Sequence, residues 1–592
     1  MRGESVLDSH CCQRNFREID VGKAVVNAKR WVTGAGLAAL LAVNVCGQTA
    51  KTKQAETPMR KGASGAKLAK PKLVVMIVVD QMRADYIDKF RGQWSGGLKR
   101  LVDEGAWFRA AAYPYASTET CVGHSTISTG AFPASHGMVS NGWWDAAAKK
   151  GVACTDDPNA KNIGYAGGAV KGGDSAASML LPAYAEELKF QSGGGTRTVT
   201  FSLKARAAVT LAGHKADAAT WYESSSGTWE TSSVYGTMPF VEEYAKKHPV
   251  TEDYGKTWSL SLPQSAYLYN EKAVGAATIP GWTAGFPHAL RGGGGSSAPD
   301  AAFLAEWTAS PFADTALTRL AEDAVDSLRL GNGGGTDYLG VSYSSTDYVG
   351  HTFGPRSWEI QDILVKLDKD LGDFFAHLDA KVGRGNYVVA LCADHGVAPI
   401  PEDMKAATGF DAGRLNVPDM QARVEKALVD FHFASPAVAK VFGTDIYFAD
   451  GVYEKLKANP AAMKAVTDAV MSTPGVAAVF RADELAERKT SLSQVANATD
   501  LSFYAPRNGD LLVIQKPYWL FGSAEYGTGT SHGTPYYYDQ RVPLIFMGFG
   551  IRAGEYWDAA TPADIAPTFA ALTGITLATR DGKVLSAALA AK

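Results

Sequence analysis

The sequence predicts an α/β fold: a central, mostly parallel β-sheet flanked by helices, with insertions that cap its functional edge. The first observation is the run at 73–79, which is continuously apolar and mostly β-branched. Such a run is typical of a strand buried on both faces. Further apolar segments of strand length lie at 338–343, 386–393 and 542–547. Helical patterns flank them at 94–104, 311–330, 357–378 and 562–572. Strands that alternate with helices indicate an α/β sheet.

The composition excludes several classes of protein. The 592-residue chain carries 58 basic and 61 acidic residues, a formal net charge of −3, and 46% apolar residues. This balance is unlike that of a disordered or fibrous chain. It also argues against an extended nucleic-acid surface, which needs a strongly basic domain, so no nucleic-acid partner is expected. Six cysteines in this length do not form a disulfide scaffold.

The N-terminus has the features of an export signal. Lys29 and Arg30 precede an apolar run at 31–46, after which small residues follow. The run is shorter than the roughly 20 residues of a membrane span, and the order of features resembles a secretory signal. We therefore expect residues 1–46 to be an export segment with an extended N-terminus, translation to start further downstream, and the protein to be periplasmic or secreted. No stable membrane span is expected beyond this segment. A short buried helix or an anchor is the alternative.

The remainder of the chain divides by composition. Residues 47–70 are polar and rich in Lys and Ala, which predicts a flexible linker before one main domain at 71–592. Glycine-rich tracts between about 150 and 300 indicate loops and insertions over one edge of the sheet. Helical and short apolar segments alternate between about 410 and 490, which predicts a small α+β insertion.

Three cysteines remain once residues 1–46 are removed: Cys121, Cys154 and Cys392. An odd number cannot pair completely within one chain, so at most one internal disulfide forms. The sequence leaves open whether any pair is joined. Because these cysteines show no two-residue spacing, thiolate zinc sites are not expected.

Three predicted strands are followed by carboxylates. Asp80 ends the first strand, Asp347 follows the second after a short loop, and Asp394 follows the third. The carboxyl ends of parallel strands meet at the edge of the sheet where ligands bind. Carboxylates gathered there would repel one another unless cations held them. Each acid taken alone could equally be an ordinary helix N-cap.

Histidines accompany these carboxylates. His351 lies four residues after Asp347, His395 is next to Asp394, and His532 lies between hydroxyl residues and a glycine. Carboxylates and neutral imidazoles together form the ligand set that suits Zn²⁺. The number of candidates predicts two metal sites rather than one, although a single Asp–His pair could equally be a surface pair.

A hydroxyl-rich stretch at 115–125 offers a nucleophile. It precedes a segment that can form a helix as far as residue 130. The N-terminus of a helix favours an anion through its dipole and its free N–H groups. A hydroxyl there in contact with a metal would be an activated nucleophile. The simpler interpretation of such a residue is a Ser or Thr N-cap.

These motifs, taken together, resemble the alkaline phosphatase superfamily. The chain is most similar to its type I phosphodiesterase/nucleotide pyrophosphatase-like branch, and within it to exported bacterial alkaline phosphatases with a threonine nucleophile. The resemblance covers roughly residues 72–575. It rests on VVDQMRADY, TETCVGHST, HGMVSNGWWD, STDYVGHTFGP, ADHGV and TSHGT. Sulfatases, a sister group, carry a C/S-x-P-x-R motif. The sequence that begins at Cys121 lacks its Pro and Arg, which argues against a sulfatase. Residues 71–592 would then be the catalytic domain.

The resemblance implies two Zn²⁺ ions and the side chains that hold them. One ion would be held by Asp347, His351 and His532. The other would be held by Asp80, Thr120, Asp394 and His395. Carboxylate–imidazole sets of this kind also accept Co²⁺ or Mn²⁺, so the native metal stays open.

The resemblance also assigns the reacting groups. Thr120 would attack phosphorus and become a phosphothreonine, and Asn141 would hydrogen-bond a phosphoryl oxygen. Lys204 and Arg206 match a Lys–x–Arg pair that meets the phosphate in monoesterase members. Two extra cations favour a monoester, whose terminal oxygens carry more charge than those of a diester. The alternative for this pair is a solvated strand end.

The implied function is therefore an alkaline phosphatase that hydrolyses small-molecule phosphate monoesters. A phosphodiesterase or nucleotide pyrophosphatase on the same two-metal site is the first alternative. A non-catalytic binding protein with decayed metal sites is the second, although the presence of every candidate ligand argues against it.

Overall fold

The structure, a computed structural model, describes residues 69–590 apart from 166–169, 284, 294–297, 489–490, 492, 523–528 and 579. The predicted export segment at 1–46 and all but the last two residues of the predicted linker lie outside the described residues. No helix within the described ranges is long and apolar enough to cross a membrane.

The strands of the described part of the chain are β1 (Leu73–Val79), β2 (Ala106–Ala111), β3 (Gly142–Asp145), β4 (Lys150–Ala153), β5 (Asn162–Gly164), β6 (Thr198–Ser202), β7 (Ala218–Glu223), β8 (Thr228–Ser232), β9 (Thr257–Trp258), β10 (His288–Ala289), β11 (Asp337–Tyr343), β12 (Tyr387–Cys392), β13 (Gly413–Leu415), β14 (Val438–Phe442), β15 (Asp445–Phe448), β16 (Val476–Arg481), β17 (Leu511–Gln515), β18 (Trp519–Phe521), β19 (Leu544–Gly548) and β20 (Gly554–Ala560).

The α-helices of the same residues are α1 (Asp85–Lys89), α2 (Gly97–Glu104), α3 (Thr120–Thr129), α4 (Pro133–His136), α5 (Tyr184–Gln191), α6 (Ala205–Ala212), α7 (Pro239–Lys247), α8 (Ala301–Thr308), α9 (Pro311–Leu328), α10 (Ser345–Phe353), α11 (Trp358–Leu378), α12 (Pro401–Thr408), α13 (Val417–Val429), α14 (Val452–Ala458), α15 (Pro460–Met471), α16 (Ala482–Ala486), α17 (Gln494–Ser502), α18 (Tyr537–Gln540) and α19 (Ile565–Thr573).

A ten-stranded sheet forms the centre of the protein. Its order is β20-β2-β19-β12-β1-β11-β6-β7-β8-β5. The five strands from β12 to β7 are parallel to one another, and β19 and β8 enclose them as antiparallel neighbours. The predicted fold, a mostly parallel sheet flanked by helices, is confirmed.

Strand β1 shows why its sequence is continuously apolar. Its odd residues, such as Val75 and Ile77, pack into a core cluster with α9 and α11. Its even residues, such as Met76, pack on the opposite face into a cluster that includes α5 and α19. Side chains alternate between the faces of a strand, so a sheet covered on both faces needs apolar residues at every position.

The predicted insertion at about 410–490 coincides with a second, smaller sheet. It has the order β14-β15-β17-β16, and α13 and α15 contribute to its core. Strand β17 returns from beyond the predicted boundary to form a central strand of this sheet.

The expectation of loops across residues 150–300 was wrong for its first half. This segment supplies β5, β6, β7 and β8 to the central sheet. Three of the five residues of β6 are hydroxyl residues, although all five are buried. The hydroxyl of Thr200 donates to the carbonyl of Ala208, so that it is satisfied inside the core. Because such a strand lacks a plain apolar pattern, the sequence did not reveal it.

Candidate active site

Four neighbouring parallel strands bring predicted site residues to one edge of the central sheet. Their order is β12, β1, β11 and β6. Each strand is followed, within four residues, by one of them: Asp394, Asp80, Asp347 and Lys204 in that order. Open α/β sheets bind ligands beyond the carboxyl ends of their strands. This edge is therefore the candidate functional site.

His395 lies at the centre of one group of predicted ligands. Its Nε2 atom lies 3.4 Å from Thr120 Oγ1. The same atom lies 3.5 Å from Asp80 Oδ1 and 3.4 Å from Asp394 Oδ2. Two ligand atoms on a tetrahedral ion with bonds of about 2.1 Å are separated by about 3.4 Å. The spacing around His395 therefore fits a four-coordinate metal ion.

A second group surrounds Asp347. Its Oδ1 atom lies 3.3 Å from His351 Nε2 and 3.9 Å from His532 Nε2. Within the described residues, Asp347, His351 and His532 form one cluster of candidate metal ligands, as predicted.

The other cluster in the described chain differs from the prediction by one residue. It joins Asp80 and His395 to Asp347 rather than to Asp394. Asp347 is thus shared between the two clusters, and the buried ammonium of Lys204 contacts both Asp347 and Asp80.

All three histidines are oriented by the protein backbone. Each has its Nδ1 atom against a carbonyl oxygen: His351 with Thr530 at 2.8 Å, His395 with Gly396 at 2.9 Å, and His532 with Thr118 at 2.7 Å. A carbonyl can only accept, so in the neutral imidazole Nδ1 carries the proton and Nε2 keeps its lone pair. This is the tautomer that a metal ligand needs.

Buried carboxylate oxygens also fit a cation. Asp80 Oδ1, one of the oxygens near His395, has no hydrogen-bond partner among the described residues. Asp394 Oδ2, the other, has a contact of 3.3 Å with His124 Nδ1, but that nitrogen is closer to the carbonyl of Thr120. A buried acceptor without a partner is costly unless an unseen group satisfies it. The residues present thus fit a metal ion at this position, by spacing, by tautomer and by unsatisfied charge.

The buried charged groups at the site shift one another's pKa values. Burial raises the pKa of Asp80 well above its ordinary value, and the charges of Asp347 and Asp394 add to this. Burial also opposes ionisation of Asp347, but the nearby Lys204, His351 and His532 together outweigh it and hold the pKa of Asp347 well below the usual range. Burial lowers the pKa of His395, so that its imidazole is neutral.

Lys204 joins the two clusters. Its Nζ atom donates to Asp80 Oδ2 at 2.6 Å and to Asp347 Oδ2 at 2.5 Å. The ammonium also lies 5.0 Å from the centre of the Tyr348 ring, within reach of a cation–π contact. Burial opposes the charge of Lys204, but Asp347 and Asp80 outweigh it and raise the pKa of the ammonium. The lysine is buried, which contradicts the alternative of a solvated strand end.

Arg206 lies in the first turn of α6, two residues beyond Lys204. Its Nε is buried and has no hydrogen-bond partner in the described part of the chain. The guanidinium charge acts on Glu119: burial raises the pKa of this carboxyl, and Arg206 partly offsets the rise. A buried donor without a partner, near the start of α3, is suited to an anionic ligand.

Thr120 is the first residue of α3, and it is buried. The helix N-terminus approaches the end of β12 closely, because a Cβ atom at Gly123 would lie 2.1 Å from the carbonyl oxygen of Asp394. Only glycine permits this approach, which brings the Thr120 hydroxyl to His395. The predicted hydroxyl at a helix N-terminus is thus present in the structure.

Asn141 lies beside the same helix end. Its Oδ1 atom accepts a hydrogen bond of 2.8 Å from the backbone N–H of Cys121. Its own backbone N–H donates to Glu119 Oε2 at 2.6 Å. With Oδ1 occupied, the amide group of the side chain keeps its two N–H donors for another acceptor.

Gln81 belongs to this site, although it was not predicted from the sequence. Its side chain donates to Asp347 Oδ1 at 2.7 Å, and its backbone N–H donates to Asp394 Oδ1 at 3.0 Å. Its φ of 68° lies in the left-handed region, which is unfavourable for a residue other than glycine. Gly350 makes room for it, since a Cβ there would lie 1.8 Å from Gln81 Oε1. The only sequence signal was a polar residue directly after Asp80.

Comparison with known proteins identifies the family. The profile of the type I phosphodiesterase / nucleotide pyrophosphatase family matches residues 74–537, which include every predicted site residue. The chain belongs to this family. The resemblance derived from the six motifs is thereby confirmed, and the family's threonine nucleophile is consistent with the position of Thr120.

Several relatives of the family are alkaline phosphatases by name. Alkaline phosphatase PafA of Elizabethkingia meningoseptica is 33% identical over 86% of this chain and 92% of its own length. Alkaline phosphatase PhoV of Synechococcus elongatus is 30% identical over 90% of this chain and 96% of its own length. A crystal structure of a PafA mutant superposes with a TM-score of 0.80 at 29% identity, covering 89% of this chain and all of that one.

This member of the family is a phosphoric ester hydrolase of the phosphatase or nucleotide pyrophosphatase type. His124, a histidine of the TETCVGHST motif, does not join the candidate metal clusters of the described residues. It instead bonds the carbonyl of Thr120 and the hydroxyl of Ser342, each at 2.8 Å, and so supports α3.

Proposed function

We propose that this protein is a zinc-dependent alkaline phosphatase that hydrolyses phosphate monoesters through a phosphothreonine intermediate. The observation that carries the proposal is the position of Lys204, whose buried ammonium lies within hydrogen-bonding distance of both Asp80 and Asp347. A third fixed cation beside two metal sites suits a dianionic monoester better than a monoanionic diester.

The seven predicted ligands would hold two zinc ions: Asp347, His351 and His532 for one, and Asp80, Thr120, Asp394 and His395 for the other. When bound, such ions supply charge that makes a hydroxyl or a water nucleophilic near neutral pH. The distances around His395 and Asp347 support this assignment.

Thr120 is the proposed nucleophile. Its Oγ1 atom forms a bond to phosphorus while the bond from phosphorus to the leaving oxygen breaks. The hydroxyl proton is lost to solvent, and the leaving oxygen takes up a proton to become an alcohol. Water then attacks the phosphothreonine, so that phosphate leaves and the Thr120 hydroxyl is restored.

Asn141, Lys204 and Arg206 are the proposed phosphate ligands. The N–H donors of Asn141 and the two cations would bind the non-bridging oxygens and stabilise them as their charge changes. The PafA variant of known structure carries substitutions at one threonine, one asparagine, one lysine and one arginine. These are the residue types at the four proposed positions here.

A phosphodiesterase or nucleotide pyrophosphatase activity is the second candidate. The name of the family supports it directly. A diester carries a second ester group in place of one charged oxygen, so Lys204 and Arg206 would contribute less to its binding.

We also propose that the protein is exported. Support comes from the signal-like segment at 1–46 and from a disulfide between Cys121 and Cys154, since disulfides persist mainly in oxidising compartments. N-terminal sequencing of the mature protein tests this proposal. A mature end shortly after residue 46 is expected, and one before residue 30 would contradict it.

Paired assays test the proposed activity. Hydrolysis of p-nitrophenyl phosphate and bis-p-nitrophenyl phosphate is measured with the protein stripped of metal and then given zinc. We expect kcat/KM to favour the monoester strongly and activity to return only with metal. A preference for the diester would establish the second candidate, and activity that survives stripping would refute the metal requirement.

A further inference from the structure

Asn141 is held at three of its polar groups. Its backbone N–H donates to Glu119 Oε2 at 2.6 Å, and its side-chain Oδ1 accepts from the N–H of Cys121 at 2.8 Å. Its backbone carbonyl accepts from the N–H of Cys154 at 3.0 Å. Two of these three partners are cysteines. Cys121 lies within the TETCVGHST motif, and Cys154 directly follows the β3–β4 hairpin.

The same two cysteines are joined to each other. Cys121 and Cys154 form a disulfide across 33 positions of sequence, and both side chains are buried. Cys121 follows Thr120 directly, whereas Cys154 follows β4. The covalent link therefore closes a ring that contains Asn141 and connects it to the helix that carries the nucleophile.

The disulfide is one of the attachments of the hairpin, which also lies against Phe442 of β14 and, through Trp143, against Arg507. Among the described residues, β3 and β4 pair with each other and with no further strand, and β4 is largely exposed. An isolated two-stranded hairpin is marginally stable in water. Trp143 packs with both cysteines in one buried cluster, so the disulfide lies within the apolar contact that attaches the hairpin to α3.

We propose that the Cys121–Cys154 disulfide is a positioning element for Asn141, which fixes the amide donors relative to the Thr120 hydroxyl. The inference rests on the proposed function, because it needs Asn141 to bind the phosphoryl group. Its physical basis is geometric: the disulfide acts through Asn141 and touches neither substrate nor metal. A misplacement of about 1 Å can cost roughly 100-fold in rate.

A double-mutant cycle tests the inference. The Cys121→Ala/Cys154→Ala variant is combined with Asn141→Ala, and kcat/KM for p-nitrophenyl phosphate is measured with zinc present. With the disulfide intact, loss of the Asn141 donors is expected to cost about 10²- to 10³-fold. Without the disulfide, the same substitution is expected to cost less than about tenfold, because the donors are already misplaced. Non-reducing peptide mapping verifies the link in the parent protein.

A stability-matched variant separates positioning from stability. Val325 of α9 is buried in the largest core cluster, which contains no residue of the hairpin, so Val325→Ala destabilises the fold without touching the hairpin. In that background Asn141→Ala is expected to keep its full effect. An equal effect of Asn141→Ala with and without the disulfide would overturn the inference.

The experiment also distinguishes failure of this inference from failure of the proposed role of Asn141. If Asn141→Ala has no effect even in the parent protein, both the phosphate role of Asn141 and this inference fall, while zinc-dependent monoester hydrolysis would still stand.

Should the cysteine variant not fold, a phosphine can reduce the disulfide in the folded protein to two thiols and be oxidised itself. As thiols appear, the activity of the parent is then expected to fall, whereas that of Asn141→Ala is expected to change little. Equal losses of activity in both proteins would overturn the inference.

Discussion

Lys204 Nζ lies 2.6 Å from Asp80 Oδ2, although the two residues are 124 positions apart in the chain. They follow β6 and β1, which are separated in the sheet by β11 alone. The side chain of Lys204 extends past the end of β11 and also contacts Asp347, the carboxylate that follows β11. One ammonium thus links both candidate metal clusters. Under the proposed function, Lys204 is also the residue expected to distinguish monoester from diester hydrolysis.

Replacement of both cations tests substrate choice. The variant Lys204→Ala/Arg206→Ala is expected to lose about 100-fold or more in kcat/KM for p-nitrophenyl phosphate, because two charge-assisted contacts to the phosphate disappear. The diester should lose less than about tenfold. Lys464→Ala, which removes an exposed lysine of α15 paired with Asp468, is the matched control and should change neither rate. Equal losses for both substrates would assign the pair a structural role.

Removal of the Thr120 hydroxyl tests the nucleophile. Thr120→Ala is expected to lower kcat by several powers of ten, since no phosphothreonine can form. Thr120→Ser should retain part of the activity. Acid quenching during turnover followed by mass spectrometry should find phosphate on residue 120 of the parent protein. Ser117→Ala, three residues earlier, controls for loss of a neighbouring hydroxyl. Near-normal turnover by Thr120→Ala would refute the proposed role.

Metal content can be assigned cluster by cluster. His351→Ala and His395→Ala are each expected to lower bound zinc by about one ion per chain, because each removes an imidazole from a different cluster. Elemental analysis of the purified variants measures this. His377→Ala removes a histidine paired with Asp326 at the protein surface and should leave the zinc content unchanged. Full zinc content in both site variants would argue against these ligands.

His136 gives the fold a predictable response to acid. Burial lowers the pKa of His136 to about 3, whereas an unfolded histidine titrates near 6.5. Below pH 6.5 the unfolded chain therefore takes up a proton that the folded protein does not accept, and this contribution to stability is lost progressively as pH falls towards 3. From pH 7.5 to pH 5 the loss is about 2 kcal/mol.

The comparison of His136 with glutamine isolates this contribution. The Nδ1 of His136 accepts from the N–H of Met138, and a glutamine oxygen can replace that acceptor without titrating. Urea unfolding at pH 7.5 and at pH 5 should show a smaller loss of stability for His136→Gln than for the parent. Other buried groups, such as Asp314 with its pKa raised to about 7 by burial, are common to both proteins and cancel in the difference. Equal losses would contradict the prediction.

Much of the site could be predicted from the sequence, because its residues lie in short motifs next to recognisable strands. Asp80 and Asp394 follow apolar strands directly, and residues after parallel strands meet at one edge. The strands themselves were visible because a sheet buried on both faces needs uninterrupted apolar residues. The position of Lys204 was harder to predict, because β6 is rich in hydroxyl residues and has no clear strand pattern.

Gln81 and the disulfide partners could not be derived in this way. The left-handed φ of Gln81 is maintained by contacts with Asp347 and Asp394, which lie hundreds of positions away. Cys121 could have paired with either of two cysteines. Its partner is Cys154 because the β3–β4 hairpin folds back onto α3, whereas Cys392 is buried within β12.

The sequence by itself determined the family, the fold class and the chemical types gathered at the functional edge, because strand periodicity and short motifs are properties of neighbouring residues. Only the tertiary structure decided how these groups are shared. It placed Asp347 in both clusters, set Lys204 between them and joined Asn141 to the N-terminus of α3. Such relationships depend on which distant segments pack together, and packing is set by the whole core rather than by any local pattern.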